Sequence, residues 1–138
     1  MPIKPDDVAL NKAAIIERCI RRIKEEYNAD PDLENYTHVD ALTLNVERAC
    51  QACIDLAMHV VATQRLGIPQ SSGEAFTLLQ KNNIISPEIE KAMRAMTGFR
   101  NIAVHQYQEV ESDVLHHIAK SAWKDLRLFC ECMGLRIK

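Results

Sequence analysis

Glycine is scarce in this chain, with four in 138 residues. No stretch alternates apolar and polar residues as a half-buried strand would. Together these absences argue against a sheet-based fold. A strong net charge is missing too. Seventeen Lys and Arg stand against nineteen Asp and Glu, which leaves −2 and an isoelectric point near 6.2. That excludes a protein that coats nucleic acid with its whole surface. Any RNA contact must come from a local basic patch or a basic partner. No uninterrupted apolar run approaches the ~18–20 residues of a membrane span, so no membrane partner is expected. Met1-Pro2-Ile3-Lys4-Pro5 lacks the apolar core of a signal peptide. The five cysteines, an odd number, are therefore expected as free thiols in a reduced, cytoplasmic protein.

The rest of the composition is that of a globular domain, with 47% apolar and 26% charged residues. The length suits one domain, and no linker, repeat or low-complexity tract divides it. We expect a single helical domain over residues 1–138. Asp6 and Asp7 start a first helix that runs to about Tyr27, because carboxylates there accept from free N–H groups. Its apolar face is Ala9, Ala13, Ile16, Ile20, Ile23 and Tyr27. Thr37 and Asp40 bracket the start of the longest helix, which is expected to reach about Leu66. That helix carries two seams, Leu42-Val46-Ala49-Cys53-Leu56-Val60 and Cys50-Ile54-Ala57-Val61. Two seams make a face wide enough to pack against neighbours on two sides.

The remaining stripe of that helix is polar: Asn45, Arg48, Gln51 or Ala52, Asp55 and His59. Asp55 and His59 lie four apart and can meet. Either they form a partly exposed ion pair, or the stripe lines a functional cleft with Arg48 as a phosphate contact. Gly67 to Gly73 breaks the chain. Glu74–Gln80 reads as a short helix ended by Asn82-Asn83, and Ser86-Pro87 opens the next helix. Ser112-Asp113 is expected to cap the last, whose seam is Leu115, Ile118, Ala122, Leu126, Phe129 and Met133. The fold class is all-α, an antiparallel up-and-down bundle of four main helices plus a short one.

Between the last two main helices lies Arg100-Asn101-Ile102-Ala103-Val104-His105-Gln106-Tyr107. A permanent cation and a proton-transfer group are nowhere else so close in this sequence. Histidine exchanges protons near neutral pH, and arginine offers a planar donor fork to phosphate. Such a pair can activate a ribose 2′-hydroxyl and stabilise charge developing on phosphorus. That route needs no metal. Asn101 can hold a backbone group or the histidine tautomer. At about 100° per residue, positions five apart on a helix differ by about 140°. Arg100 and His105 therefore share no face of an unbroken helix. Either the helix breaks near Val104, or a two-fold dimer brings residues from two copies into one cleft. The alternative to a site is structural: Arg100 pairs with an acid, His105 caps a helix end and Tyr107 anchors the last helix.

Other clusters read as scaffold. Cys50 and Cys53 have zinc-like spacing, and Cys130 and Cys132 are near His116 and His117 in sequence. The first pair, however, sits mid-helix in an apolar pattern, so packed thiols are expected and no cofactor. Lys81, Lys91 and Arg94 are either a solvated face or an extension of a phosphate path. His116 and His117 are expected at the surface. Met93, Met96, Phe99 and Ile102 belong either to the core or to a dimer interface.

The string Arg100-Asn101-x-x-Val104-His105-x-Tyr107 resembles the signature of HEPN-domain proteins of the HepT type, whose core is Arg, four residues, His, one residue, Tyr. The length, the helical pattern and the place of the motif between bundle helices fit over essentially the whole chain. HepT proteins are ribonuclease toxins of type VII toxin–antitoxin modules, with both copies of the motif in a homodimer cleft. Their antitoxin, MntA, is a small nucleotidyltransferase that adds AMP to the motif tyrosine. The resemblance thus implies catalytic Arg100 and His105, an AMPylation site at Tyr107, an RNA substrate, and two partners: a second copy and an MntA-like protein. A non-catalytic bundle that binds a nucleotide, or docks a nucleotidyltransferase, is the alternative.

Overall fold

The computed structural model describes residues 4–105 and 111–137. Helix α1 spans Asp7–Ala29, α2 Tyr36–Thr63, α3 Ser72–Lys81 and α4 Pro87–His105. Helix α5 (Ser112–His117) continues through a π-helical turn (Ile118–Ala122) into α6 (Trp123–Cys132). The architecture is all-helical, with α1, α2, α4 and the α5–α6 rod as its main members. No helix among the described residues is long and apolar enough to cross a membrane.

Helix α2 is the hub, in contact with α1, α3, α4 and α6. Both of its expected seams are buried, from Leu42 to Val61. Ala52, placed on the polar stripe as an alternative to Gln51, is buried as well. Thr43 also turns inward, its hydroxyl satisfied by donating to the Val39 carbonyl at 2.8 Å. Helix α1 lies antiparallel to α2. His59 near the end of α2 meets Asp6 at 2.6 Å, while His38 near its start meets Glu26 at 2.5 Å. Phe76 of α3 and Phe129 of α6 close the core edge-to-face, with centroids 5.3 Å apart. Fully burying one such side chain contributes roughly 1.5–3 kcal/mol.

The helix ends follow local chemistry. Asp6 caps α1 by accepting from the Ala9 N–H at 2.9 Å. Helix α2 is capped by Asn35, which accepts from Thr37 and His38, earlier than the expected Thr37–Asp40 start. Ser86 accepts from the Ile89 N–H at 3.2 Å and so caps α4 ahead of Pro87. The last cap differs from expectation. Glu111 holds that position without a side-chain bond, and Ser112 is already helical. Asn83 has φ 60°, a left-handed conformation that asparagine tolerates. It follows the Asn82 C-cap of α3.

Candidate active site

Helix α4 carries Arg100 to His105 of the motif on its last two turns. Its buried face is Met93, Met96, Thr97, Phe99 and Ala103. Arg100 lies angularly within that face, about 40° from Met96 by helical geometry. Its stem packs inward and the residue is half-buried. One guanidinium nitrogen, Nη1, donates to Asn101 Oδ1 at 2.8 Å. The Nε is buried and has no hydrogen-bond partner among the described residues. No carboxylate pairs with Arg100 among the described residues, although ion pairs engage Lys12, Arg21 and Arg22 elsewhere. The described residues thus offer Arg100 no acidic partner, and Glu109 lies outside them.

The guanidinium is felt by the Cys50 thiol. Burial pushes the Cys50 thiol up to about 12, and the positive charge of Arg100 pulls against that rise. Cys53 is pushed well above its ordinary value, first by burial and then by its hydrogen bond with Cys130. All five cysteines are free, and four are buried. They fill helix seams, as the apolar pattern required.

Helix α4 continues without a break through Val104 to His105. A break near Val104, one of the two options open from the sequence, does not occur before His105, the last described residue of the helix. Backbone hydrogen bonding holds the turn together, and neither glycine nor proline intervenes between Arg100 and His105. Arg100 and His105 consequently point about 140° apart on one helix. His105 and Asn101 are exposed. Tyr107 lies outside the described residues. Met93, Met96 and Phe99 belong to the core, each at most 6% exposed, whereas Ile102 and Val104 are 42% and 46% exposed.

The polar stripe of α2 behaves differently from the expected pair. Asp55 and His59 do not bond each other. Asp55 accepts from Gln51 at 2.9 Å and from Lys12 at 3.4 Å, and His59 meets Asp6. The N-cap and the N-terminal half of α1 supply the two cross-helix partners, so the stripe fastens α1 to α2. Arg48 is exposed on the same helix. Arg94 donates to the Gly73 carbonyl at 3.0 Å and to Thr77 at 2.7 Å, which ties α4 to α3. Lys81 and Lys91 are exposed.

His116 corrects another expectation. It is half-buried, with Nδ1 2.9 Å from the Tyr27 hydroxyl and its ring edge-on to that phenol. His117 is exposed and lines a groove of about 390 Å³ between α4 and the α5–α6 rod, with Met96, Phe99 and Ile118 on its apolar floor. Sequence reasoning also missed three cations around Trp123, from Lys24, Lys124 and Arg127. The steps of three and four through Lys120, Lys124 and Arg127 could have disclosed part of this cluster. Lys24 could not, because it comes from another helix.

Comparison with known proteins points one way. The ribonuclease HepT-like family matches residues 16–133. The chain is 42% identical over 127 residues to the mRNA nuclease HepT of Shewanella oneidensis, covering 91% of this chain and 96% of that one. A tri-AMPylated HEPN toxin from Shewanella oneidensis, solved in complex with its MNT antitoxin, superposes with a TM-score of 0.88 at 41% identity. That match covers 94% of this chain and 98% of the toxin. A toxin–antitoxin structure with AMP-PNP gives the same TM-score at 40% identity and the same coverage.

Proposed function

The chain belongs to the ribonuclease HepT-like family and is by that membership a ribonuclease, and we propose that it acts as a metal-independent endoribonuclease toxin. In this reading it works as a homodimer, with Arg100 of one protomer and His105 of its partner acting on one phosphodiester. The observation that carries the proposal is Arg100: a half-buried guanidinium with a buried, unpartnered Nε and no carboxylate among the described residues. Burying donors without acceptors costs about 1–3 kcal/mol. A scaffold arginine would be paired or fully solvated. An anion-binding arginine is held in place and left open.

The chemistry then follows. His105 accepts the proton of the ribose 2′-hydroxyl. The 2′-oxygen bonds to phosphorus, the bond to the 5′-oxygen breaks, and that oxygen takes a proton from water as it leaves. Arg100 binds the non-bridging oxygens as negative charge grows on them. Because α4 is unbroken, its own two groups diverge, and a two-fold axis beside this helix supplies the missing convergence. Exposed Ile102 and Val104 on the same turns are suited to lie against the second copy.

Silencing is assigned to Tyr107. A cognate nucleotidyltransferase antitoxin of the MntA type would transfer AMP from ATP to the phenol oxygen, releasing pyrophosphate. Each added phosphate would occupy Arg100 and repel RNA. The AMPylated relative solved with its antitoxin supports that reading. The decisive experiment is His105→Ala expressed without antitoxin. Growth inhibition and RNA cleavage should both vanish while circular dichroism and oligomeric state stay those of the wild type. Persistent cleavage by the variant would remove His105 from the mechanism.

A further inference from the structure

The motif explains what happens at the scissile bond but leaves a second concentration of positive charge unused. Lys24 Nζ sits 3.6 Å from the centroid of the Trp123 ring, Arg127 Cζ 5.2 Å and Lys124 Nζ 5.9 Å. Lys120 lies one turn before Lys124 on the exposed side of the same rod. None of these four makes an ion pair among the described residues, whereas Arg21 and Arg22 of α1 are matched by Glu17, Glu25 and Glu26. The acids of α6 are turned to other neighbours. Asp125 lines the groove against α4, and Glu131 lies beside Glu17 and Arg136.

Scaffold does not call for this arrangement. Like charges at helical steps of three and four destabilise a helix, and Lys120–Lys124 and Lys124–Arg127 are two such steps. A solvated face would alternate signs. Trp123 is 9% exposed and one ring face is covered by Lys24, so it serves as a platform for the cations and is not open for base stacking. The π turn ends immediately before Trp123. A π turn inserts a residue into the helical phase, and such turns recur at functional sites.

Placement ties the cluster to the motif. The α5–α6 rod starts at Ser112, only a few residues beyond His105 in the chain, and Lys120 to Arg127 lie roughly 12–22 Å along it at the usual helical rise. The Tyr27–His116 contact joins α1 to the rod at its near end, three residues after Lys24. We propose that Lys24, Lys124 and Arg127, gathered around Trp123, together with exposed Lys120 on the same rod, form a docking surface for the phosphate backbone of single-stranded RNA, away from the scissile bond. This inference rests on the ribonuclease reading for the identity of the anion, and its test does not depend on cleavage.

The test compares wild-type surface with Lys120→Gln/Lys124→Gln, two exposed positions, and with Lys24→Gln/Lys124→Gln/Arg127→Gln. Both are made in a His105→Ala background so that RNA stays intact. Binding of a fluorescent single-stranded RNA of mixed sequence is followed by anisotropy from about 50 to about 200 mM salt, where each lost phosphate contact reduces the slope of log K against log salt by about 0.7. The expected loss is about 1.4 for the double variant and about 2 for the triple, with affinity falling several-fold at the low-salt end. With His105 restored, kcat/KM should fall on long RNA and stay unchanged on a dinucleotide too short to reach the patch. Unchanged slopes in correctly folded variants overturn the proposal. So does unchanged RNA binding combined with lost affinity for the nucleotidyltransferase, which would make the face a protein interface. A wild-type protein that binds RNA through this face but never cuts it defeats the catalytic reading alone.

Discussion

Replacing Arg100 with methionine separates stability from function with opposite signs. The side chain keeps an apolar stem on the half-buried side of α4 but loses the guanidinium. Among the described residues, what disappears on the folding side is one hydrogen bond to an exposed asparagine at 2.8 Å, worth about 0.5–1.5 kcal/mol. What is relieved is the buried Nε without a partner, a burden of about 1–3 kcal/mol. The balance runs from about −0.5 to about +2.5 kcal/mol in the variant's favour, centred near +1. Chemical denaturation should therefore show an unchanged or raised midpoint, and thermal unfolding a gain of up to a few degrees. The catalytic side moves the other way. Removing one preorganised donor to a developing oxyanion costs about 10²–10³ in kcat, so cleavage of a labelled RNA should fall at least a hundredfold. A structural arginine predicts the reverse. Loss of more than about 2 kcal/mol of stability with cleavage intact would refute the reasoning from the orphaned donor.

The remaining predictions are independent of that balance. Intact mass after co-expression with a candidate nucleotidyltransferase should show AMP increments that are absent in Tyr107→Phe; increments that persist would move the modification elsewhere. Phe129→Ala leaves a hole beside Phe76 in a site with no exposure and should cost about 3–5 kcal/mol in urea titrations, where a loss below about 1 kcal/mol would contradict the close packing. Stability should fall as pH drops through the carboxylate range. The Ala9 N–H and then His59 hold Asp6 below its ordinary value, and the hydrogen bond from His38 and then Arg22 hold Glu26 below its own, against the opposing pull of desolvation. Lowered folded-state values mean a contribution present above the unfolded values and lost as protons bind below them. Asp6→Asn/Glu26→Gln, which keeps a capping side chain at position 6, should flatten the acid limb of the urea midpoint against pH, and an unaltered limb would argue against these two groups as its source.

The helices were legible because each rests on signals only a few residues long. The α2 seams could be read residue by residue, since a helix with two buried faces leaves only a narrow polar stripe. The Ser86-Pro87 start was equally local. Partners across helices were not. Asp55 and His59 satisfy the four-residue spacing, yet each bonds residues of α1 more than forty positions away. A same-helix spacing permits a contact, but a neighbouring helix can offer a competing partner. His116 follows the same rule, because its partner Tyr27 lies 89 residues away.

The motif divides in the same manner. Sequence alone determined that Arg100, His105 and Tyr107 stand in HepT order, and that a continuous helix would point the first two apart by about 140°. That conclusion needs only the helical repeat. The tertiary structure decided that the helix does continue through His105, that Arg100 is half-buried with an unpartnered Nε, and that Lys24 joins the α6 cations over Trp123. Such facts depend on which helix packs beside which. A linear chain carries the chemistry of each group, but exposure, desolvation and charge crowding exist only once distant segments share a surface.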